Sequence, residues 1–258
     1  KLLNRSFDAV NLFGVTQSYP LFVKTIELIC EVKDKDGRNK AAKKFIEFAK
    51  SLENFHFINN AVSQRPGNQI EKYYADVCKQ SVKPADVVKF MDAIIKHLSK
   101  EKLAKKIEFT LNFANLNYEN DFLLIYYIND RLNNYGRAAT NLIEIYNPDK
   151  KILKRNHNLD HLVSQSTKNY TYILEPDIVH NIGNLVAIGM HENSKLQDKH
   201  ISEKIKILQK EKQILPEIVH LVEDWGDVDW KTEADAIENI KKRAQKLGER
   251  SFSEVWKM

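Results

Sequence analysis

Asn158-Leu159-Asp160-His161-Leu162-Val163-Ser164-Gln165, then His180-Asn181-Ile182-Gly183-Asn184-Leu185-Val186-Ala187-Ile188, then Met190-His191-Glu192-Asn193-Ser194-Lys195-Leu196 is the stretch on which the reading of this chain turns. Leu159 to Val163 is a strand candidate, and Ile182 to Ile188 is an apolar run flanked by Gly183 and Gly189. Asn193 or Ser194 is expected to cap a helix that carries Ile201, Ile205 and Leu208 at i, i+4, i+7. The order strand, loop, strand, helix makes a ββα unit of roughly 50 residues, the size of a supersecondary motif.

The side chains of this unit suit phosphodiester hydrolysis. Asp160 and Asn193 offer a carboxylate and an amide oxygen, enough protein ligands for a hard cation such as Mg²⁺ (or Mn²⁺) that keeps several waters. His161 offers an imidazole, mostly neutral at pH 7, that can take a proton from water. Neighbours on a regular strand point to opposite faces. Asp160 and His161 can therefore serve one site only where the strand ends or bends, and Asn184 in the loop is the residue expected to pin that strand end.

Upstream, the texture is helical. Phe22, Ile26 and Ile29 share a face with Pro20 in the first turn; Phe45, Ala49 and Leu52 follow beyond a turn at Gly37-Arg38; Val87, Met91, Ile94 and Leu98 make another stripe. Phe122 to Leu132 reads as a buried helix, and Asn141 to Tyr146 alternates like a strand. Downstream, Thr232 to Asp235 resembles a capping box for a helix with Ile237, Ile240, Ala244 and Leu247, stopped by Gly248. Ser251 to Met258 is expected to bring Phe252 and Trp256 onto the core. The expected organisation is mainly α: a helical domain over residues 1–138, then residues 139–258 with the inserted unit at about 157–210 and C-terminal helices.

A net charge of +5 permits nucleic-acid binding without demanding it. The distribution says more, because basic residues bracket the stretch: Lys150, Lys151, Lys154 and Arg155 before it, Lys195, Lys199, Lys204 and Lys206 after Asn193. Each cluster reads equally well as a solvated helix face. His157, just upstream of the pair, is a further candidate for phosphate. His180, His191 and His200 invite a zinc reading, but loop and helix histidines without a ligand role are the simpler account. Cys30 and Cys78 read as buried small hydrophobes, and two cysteines exclude a zinc site built from paired Cys-x-x-Cys motifs. No window reaches the ~18 apolar residues of a membrane span, and no secretory signal opens the chain, so a cytoplasmic protein is expected. The chain starts without Met inside helical sequence and reads as the C-terminal part of a longer polypeptide.

At these residues the chain resembles the HNH, or His-Me finger (ββα-metal), nucleases. It is similar in particular to the C-terminal nuclease domain of GmrSD- and SspE-type modification-dependent restriction proteins. Their pattern of Glu-His-Ile-x-Pro-Gln, Ile-Gly-Asn-Leu and Asn followed by Lys stands here as Asp160-His161-Leu162-Val163-Ser164-Gln165, Ile182-Gly183-Asn184-Leu185, and Asn193 with Lys199. Trp230, Ile240, Arg243, Leu247 and Trp256 match the family's C-terminal helix and late tryptophan. Asp160 replaces the usual Glu, as in the HNH domain of RNA-guided CRISPR effectors; Ser164 replaces a Pro, and a Trp often found between the two halves is missing. The resemblance implies a metal-dependent DNA endonuclease or nickase, the effector part of a bacterial anti-phage restriction protein. It implies His161 as general base, Asp160 and Asn193 at the metal, and Asn184 in support. Lys199 is the better candidate for a phosphate contact, because the resemblance and its expected helix position agree; Arg155 and Lys204 are lesser candidates. It also implies an N-terminal sensor or NTPase domain on the same polypeptide; oligomeric state stays open. The alternative is a non-catalytic helical module that binds DNA or a partner and keeps the finger as scaffold.

Overall fold

The computed structural model describes residues 2–101, 103–148, 157–164, 170–211 and 215–258. They divide into two compact units: Lys1–Phe109 with Trp256–Met258, and Thr110–Val255. At the level of class the expectation holds, since the chain is mainly helical with one small two-stranded sheet among the described residues.

The first unit follows its apolar stripes except at Ile26, which is exposed rather than on the core face with Phe22. Helices α1 (Leu2–Leu12), α2 (Tyr19–Glu31), α3 (Lys35–His56), α4 (Asn68–Lys79) and α5 (Val87–Lys100) enclose one core. Helix α3 supplies its spine through Phe45, Phe48, Ala49, Leu52 and Phe55, and α5 adds Val87, Phe90, Met91, Ile94 and Leu98. Pro20 sits in the first turn of α2, where its missing N–H costs nothing. Gly37 and Arg38 are not the expected turn; they lie in the first turns of α3. Asp34 caps that helix by accepting from Gly37 N at 2.5 Å, and Arg38 donates back to Val32 O. Cys30 is exposed rather than buried, because Leu21, Phe22, Thr25 and Leu28 take the core face of α2; Cys78 is half-buried on α4, where Ile70, Tyr74 and Val77 take the core face. Trp256 does reach the core: it is fully buried and stacks on Phe57 with ring centroids 4.0 Å apart.

Helix α6 (Lys106–Ala114) contains the division between the units. The second unit continues with α7 (Tyr118–Asn134), β1 (His157–His161), α8 (Pro176–Val179), β2 (Leu185–Gly189), α9 (Met190–Leu196), α10 (Ile201–Leu208), α11 (Pro216–Trp225) and α12 (Glu233–Arg250). Helix α7, which the sequence assigns to the first domain, groups with the strands. Its buried polar residues explain why: Asn129 Oδ1 accepts Ala187 N at 3.2 Å on β2, and the Tyr126 hydroxyl accepts Leu159 N at 3.4 Å on β1. The same helix removes the strand expected at Asn141 to Tyr146. Asp130 accepts the N–H groups of Ile145 and Tyr146, and Asn134 that of Ile143, so the segment is irregular after a 3-10 turn at Ala139–Asn141.

The capping box of α12 forms between Thr232 and Asp235. Gly248 does not stop the helix, which runs to Arg250 and then a π turn at Ser251–Val255. Gly248 allows close packing instead: a Cβ there would lie 3.3 Å from Phe113 and Thr110 side-chain carbons.

Candidate active site

Strands β1 and β2 pair antiparallel, with His157 opposite Gly189 and His161 opposite Leu185. Helix α9 starts directly after β2 and packs against both strands. The sheet ends at His161 because the backbone beyond it bonds to Asn184 rather than to a continuing strand. Leu162 N donates to Asn184 O at 2.9 Å and Val163 N to Asn184 Oδ1 at 2.8 Å. Asn184 Nδ2 donates to Val163 O at 3.0 Å and Val179 O at 2.8 Å. Asn184 is fully buried and spends its amide on these backbone groups, so its place is structural, two residues beyond His161.

Helix α12 fixes the turn that delivers Asn184. Buried Arg243 donates to Gly183 O at 2.6 Å and Leu185 O at 3.0 Å. Gly183 lies against the α12 backbone, where an added Cβ would be 2.1 Å from Ile240 O. Only glycine fits that approach.

Adjacent Asp160 and His161 find different partners. Asp160 Oδ2 accepts from Lys204 Nζ at 2.8 Å, and the same ammonium donates to His161 O at 2.6 Å. His161 Nε2 lies 3.1 Å from His180 Nδ1, and the Tyr118 ring stands edge-on to it at 5.8 Å. Burial, then the charges of His180 and Lys204, lower the His161 pKa to about 4, so its imidazole is neutral at pH 7. Burial raises the Asp160 pKa, Lys204 opposes this, and the like charge of Asp198 adds to it.

The remaining expected residues fare differently. Asn193 does not open the helix bearing Ile201: it lies half-buried within α9, which Gly189 precedes. Gln197, at φ 42°, breaks the chain, and His200 caps α10 by accepting Ser202 N at 3.3 Å. Lys199 lies in that break, half-buried. Lys204 is 1 % exposed and therefore no surface contact for DNA; a buried ammonium persists only with partners, and Asp160 is its partner. His157 starts β1, about 13 Å along the strand from His161. Arg155 lies outside the described residues. Glu119 carries no signal in the sequence, and the sequence reads His180 as a histidine without a ligand role; in the fold the Glu119 carboxylate is 3.4 Å from His180 Nε2. Nothing in sequence spacing links a residue on α7 to one 61 positions later; only the Asp-His motif itself could have prompted a search for an outer partner.

Among the described residues no three His, Cys, Asp or Glu side chains gather as a metal cluster. The available oxygen donors, Asp160 on β1 and Asn193 on the helix packed against β1, are nonetheless of the type a hard divalent ion takes when it keeps most of its waters.

No curated protein and no solved structure is matched by this chain. The family model of the GmrSD restriction endonucleases, C-terminal domain, matches residues 103–249, which include both strands, α9 and the Arg243 helix. That match covers more than half of the 258 residues, and the chain belongs to the family of GmrSD restriction endonuclease C-terminal domains.

Proposed function

We propose that this chain cuts DNA by metal-assisted phosphodiester hydrolysis, with β1, β2 and α9 acting as an HNH-type ββα finger and His161 as general base. The single observation that carries this reading is the neutral, half-buried His161 held at a strand end from two sides, by Asn184 behind the backbone and by Lys204 on its carbonyl. Preorganisation of that kind costs no rearrangement during reaction.

In the proposed reaction His161 takes a proton from water as the water oxygen bonds to phosphorus. The bond from phosphorus to the leaving sugar oxygen breaks, and that oxygen is protonated from solvent. Asp160 and Asn193 would hold Mg²⁺ or Mn²⁺, which when bound supplies positive charge for the phosphate and leaving oxygens. Asn184 acts only by shaping the strand end, and Lys204 by fixing Asp160. Lys199, and Arg155 and His157 with it, are proposed to meet the phosphate backbone, a contact that makes binding salt-sensitive and largely sequence-independent. We also propose that the unit Thr110–Val255 is the nuclease unit, and that recognition of modified DNA and nucleotide hydrolysis belong to a sensor domain of the same polypeptide. No helix among the described residues is long and apolar enough to cross a membrane.

The test is relaxation of supercoiled plasmid with Mg²⁺ or Mn²⁺ against EDTA, with His161→Ala beside the wild type. Cleavage is expected only with metal and only with His161. Salt-dependent DNA binding without cleavage, by the full-length polypeptide as well, would favour the non-catalytic module.

A further inference from the structure

His180 and Glu119 have no role in the reaction as proposed, yet they form a line that ends on the base. Glu119 Oε1 is 3.4 Å from His180 Nε2, and His180 Nδ1 is 3.1 Å from His161 Nε2. The backbone fastens this line at both members. Tyr118 N donates to His180 O at 2.8 Å, Asn117 bridges Asn181, and Asn117 Oδ1 accepts Glu119 N at 3.0 Å. The Tyr118 ring lies nearly parallel to His180, with centroids 6.3 Å apart, and edge-on to His161 at 5.8 Å.

The line has a direction. A carboxylate only accepts, so Glu119 selects the proton on His180 Nε2. In a neutral imidazole the other nitrogen is then an acceptor, and His180 Nδ1 faces His161 Nε2. His161 Nε2 must therefore be the donor, and its lone pair is on Nδ1. We infer that Glu119 and His180 are positioning residues that hold His161 as its Nε2–H tautomer, with Nδ1 as the atom that accepts the proton of the attacking water. The inference rests on the proposed role of His161 as base. When Nδ1 takes the proton, the resulting imidazolium keeps its Nε2–H on His180, and the Glu119 carboxylate lies at the far end of the line as counter-charge.

The test reads the tautomer directly, by two-bond ¹H–¹⁵N correlation of the histidine-labelled 258-residue chain without metal or DNA. The wild type is expected to show His161 protonated on Nε2. Glu119 is 61 % exposed, so Glu119→Lys leaves packing intact, but an ammonium only donates. It is expected to reverse the line, moving the His161 proton to Nδ1 and lowering kcat about 10- to 100-fold, the usual cost of losing an outer partner, with little change in KM. His180→Leu is expected to lose both the fixed tautomer and the rate. His180→Asn, whose side-chain oxygen accepts where Nδ1 did, is expected to restore both. A wild-type His161 protonated on Nδ1 would overturn the inference, as would a tautomer and kcat unmoved in Glu119→Lys and His180→Leu. Wild-type cleavage by His161→Ala would instead overturn the base role, whatever the spectra read.

Discussion

Lys204 changes how the Asp160-His161 pair is understood. As a sequence position it is one lysine of a basic cluster; in the fold it is buried and spans the two neighbours, carboxylate on one side and carbonyl on the other. It thereby ties Asp160 to the strand end that presents His161. Lys204→Met is expected to leave Asp160 half-buried without its counter-charge, lowering stability by on the order of 3 kcal/mol. The double variant Lys204→Met, Asp160→Leu is expected to recover much of that loss in a denaturant titration. An unchanged midpoint in the single variant would mean that the ammonium does not hold the carboxylate. The motif made Asp160, His161 and Asn184 legible because their residue types carry chemistry in order along the chain. It misassigned Lys204 because a lysine's burial depends on which carboxylate meets it, and Asp160 is 44 positions away.

Among the elements, α12 governs the site from a distance. Its Arg243 holds the carbonyls on either side of Asn184, and its backbone leaves room for nothing larger than Gly183. Gly183→Ala is expected to push the turn off α12, costing about 1–3 kcal/mol as overpacking does, and to loosen the His161 strand end with it. A thermal melt gives the first effect and cleavage the second; a melt equal to wild type would show that the turn yields without cost. Periodicity made α3, α5 and α12 legible, since a 3.6-residue stripe needs only a core to face. It failed at Asn141 to Tyr146 and at Asn193. In the first case Asp130 and Asn134 claim the backbone N–H groups a strand would have needed. In the second a positive φ at Gln197 splits the expected helix in two and leaves Asn193 inside α9.

For the whole molecule, one histidine in each unit responds to acid: the pKa is lowered to about 4 both for His161 in the second and for His56 in the first. In the first, His56 is fully buried; its Nδ1 donates to Asn60 Oδ1 at 2.6 Å and its Nε2 accepts from the Tyr74 hydroxyl at 3.0 Å. Burial, against a smaller contribution from Asn60, lowers its pKa from 6.5 to about 4. The unfolded chain then binds the proton more tightly than the folded one. This contribution to stability is complete above pH 6.5 and is lost as pH falls toward 4, by on the order of 3 kcal/mol. A His56→Gln variant is expected to flatten that part of the pH–stability curve while leaving plasmid cleavage at neutral pH intact; an unaltered curve would assign the acid sensitivity elsewhere. Cleavage is proposed for the second unit, with His161 removing the proton from water. The most direct measurement is metal-dependent plasmid cleavage by His161→Gly with and without added imidazole. The expected rate is lower by about 100-fold or more and is partly restored as imidazole fills the vacated ring position; cleavage by His161→Gly at the wild-type rate would rule out the base role.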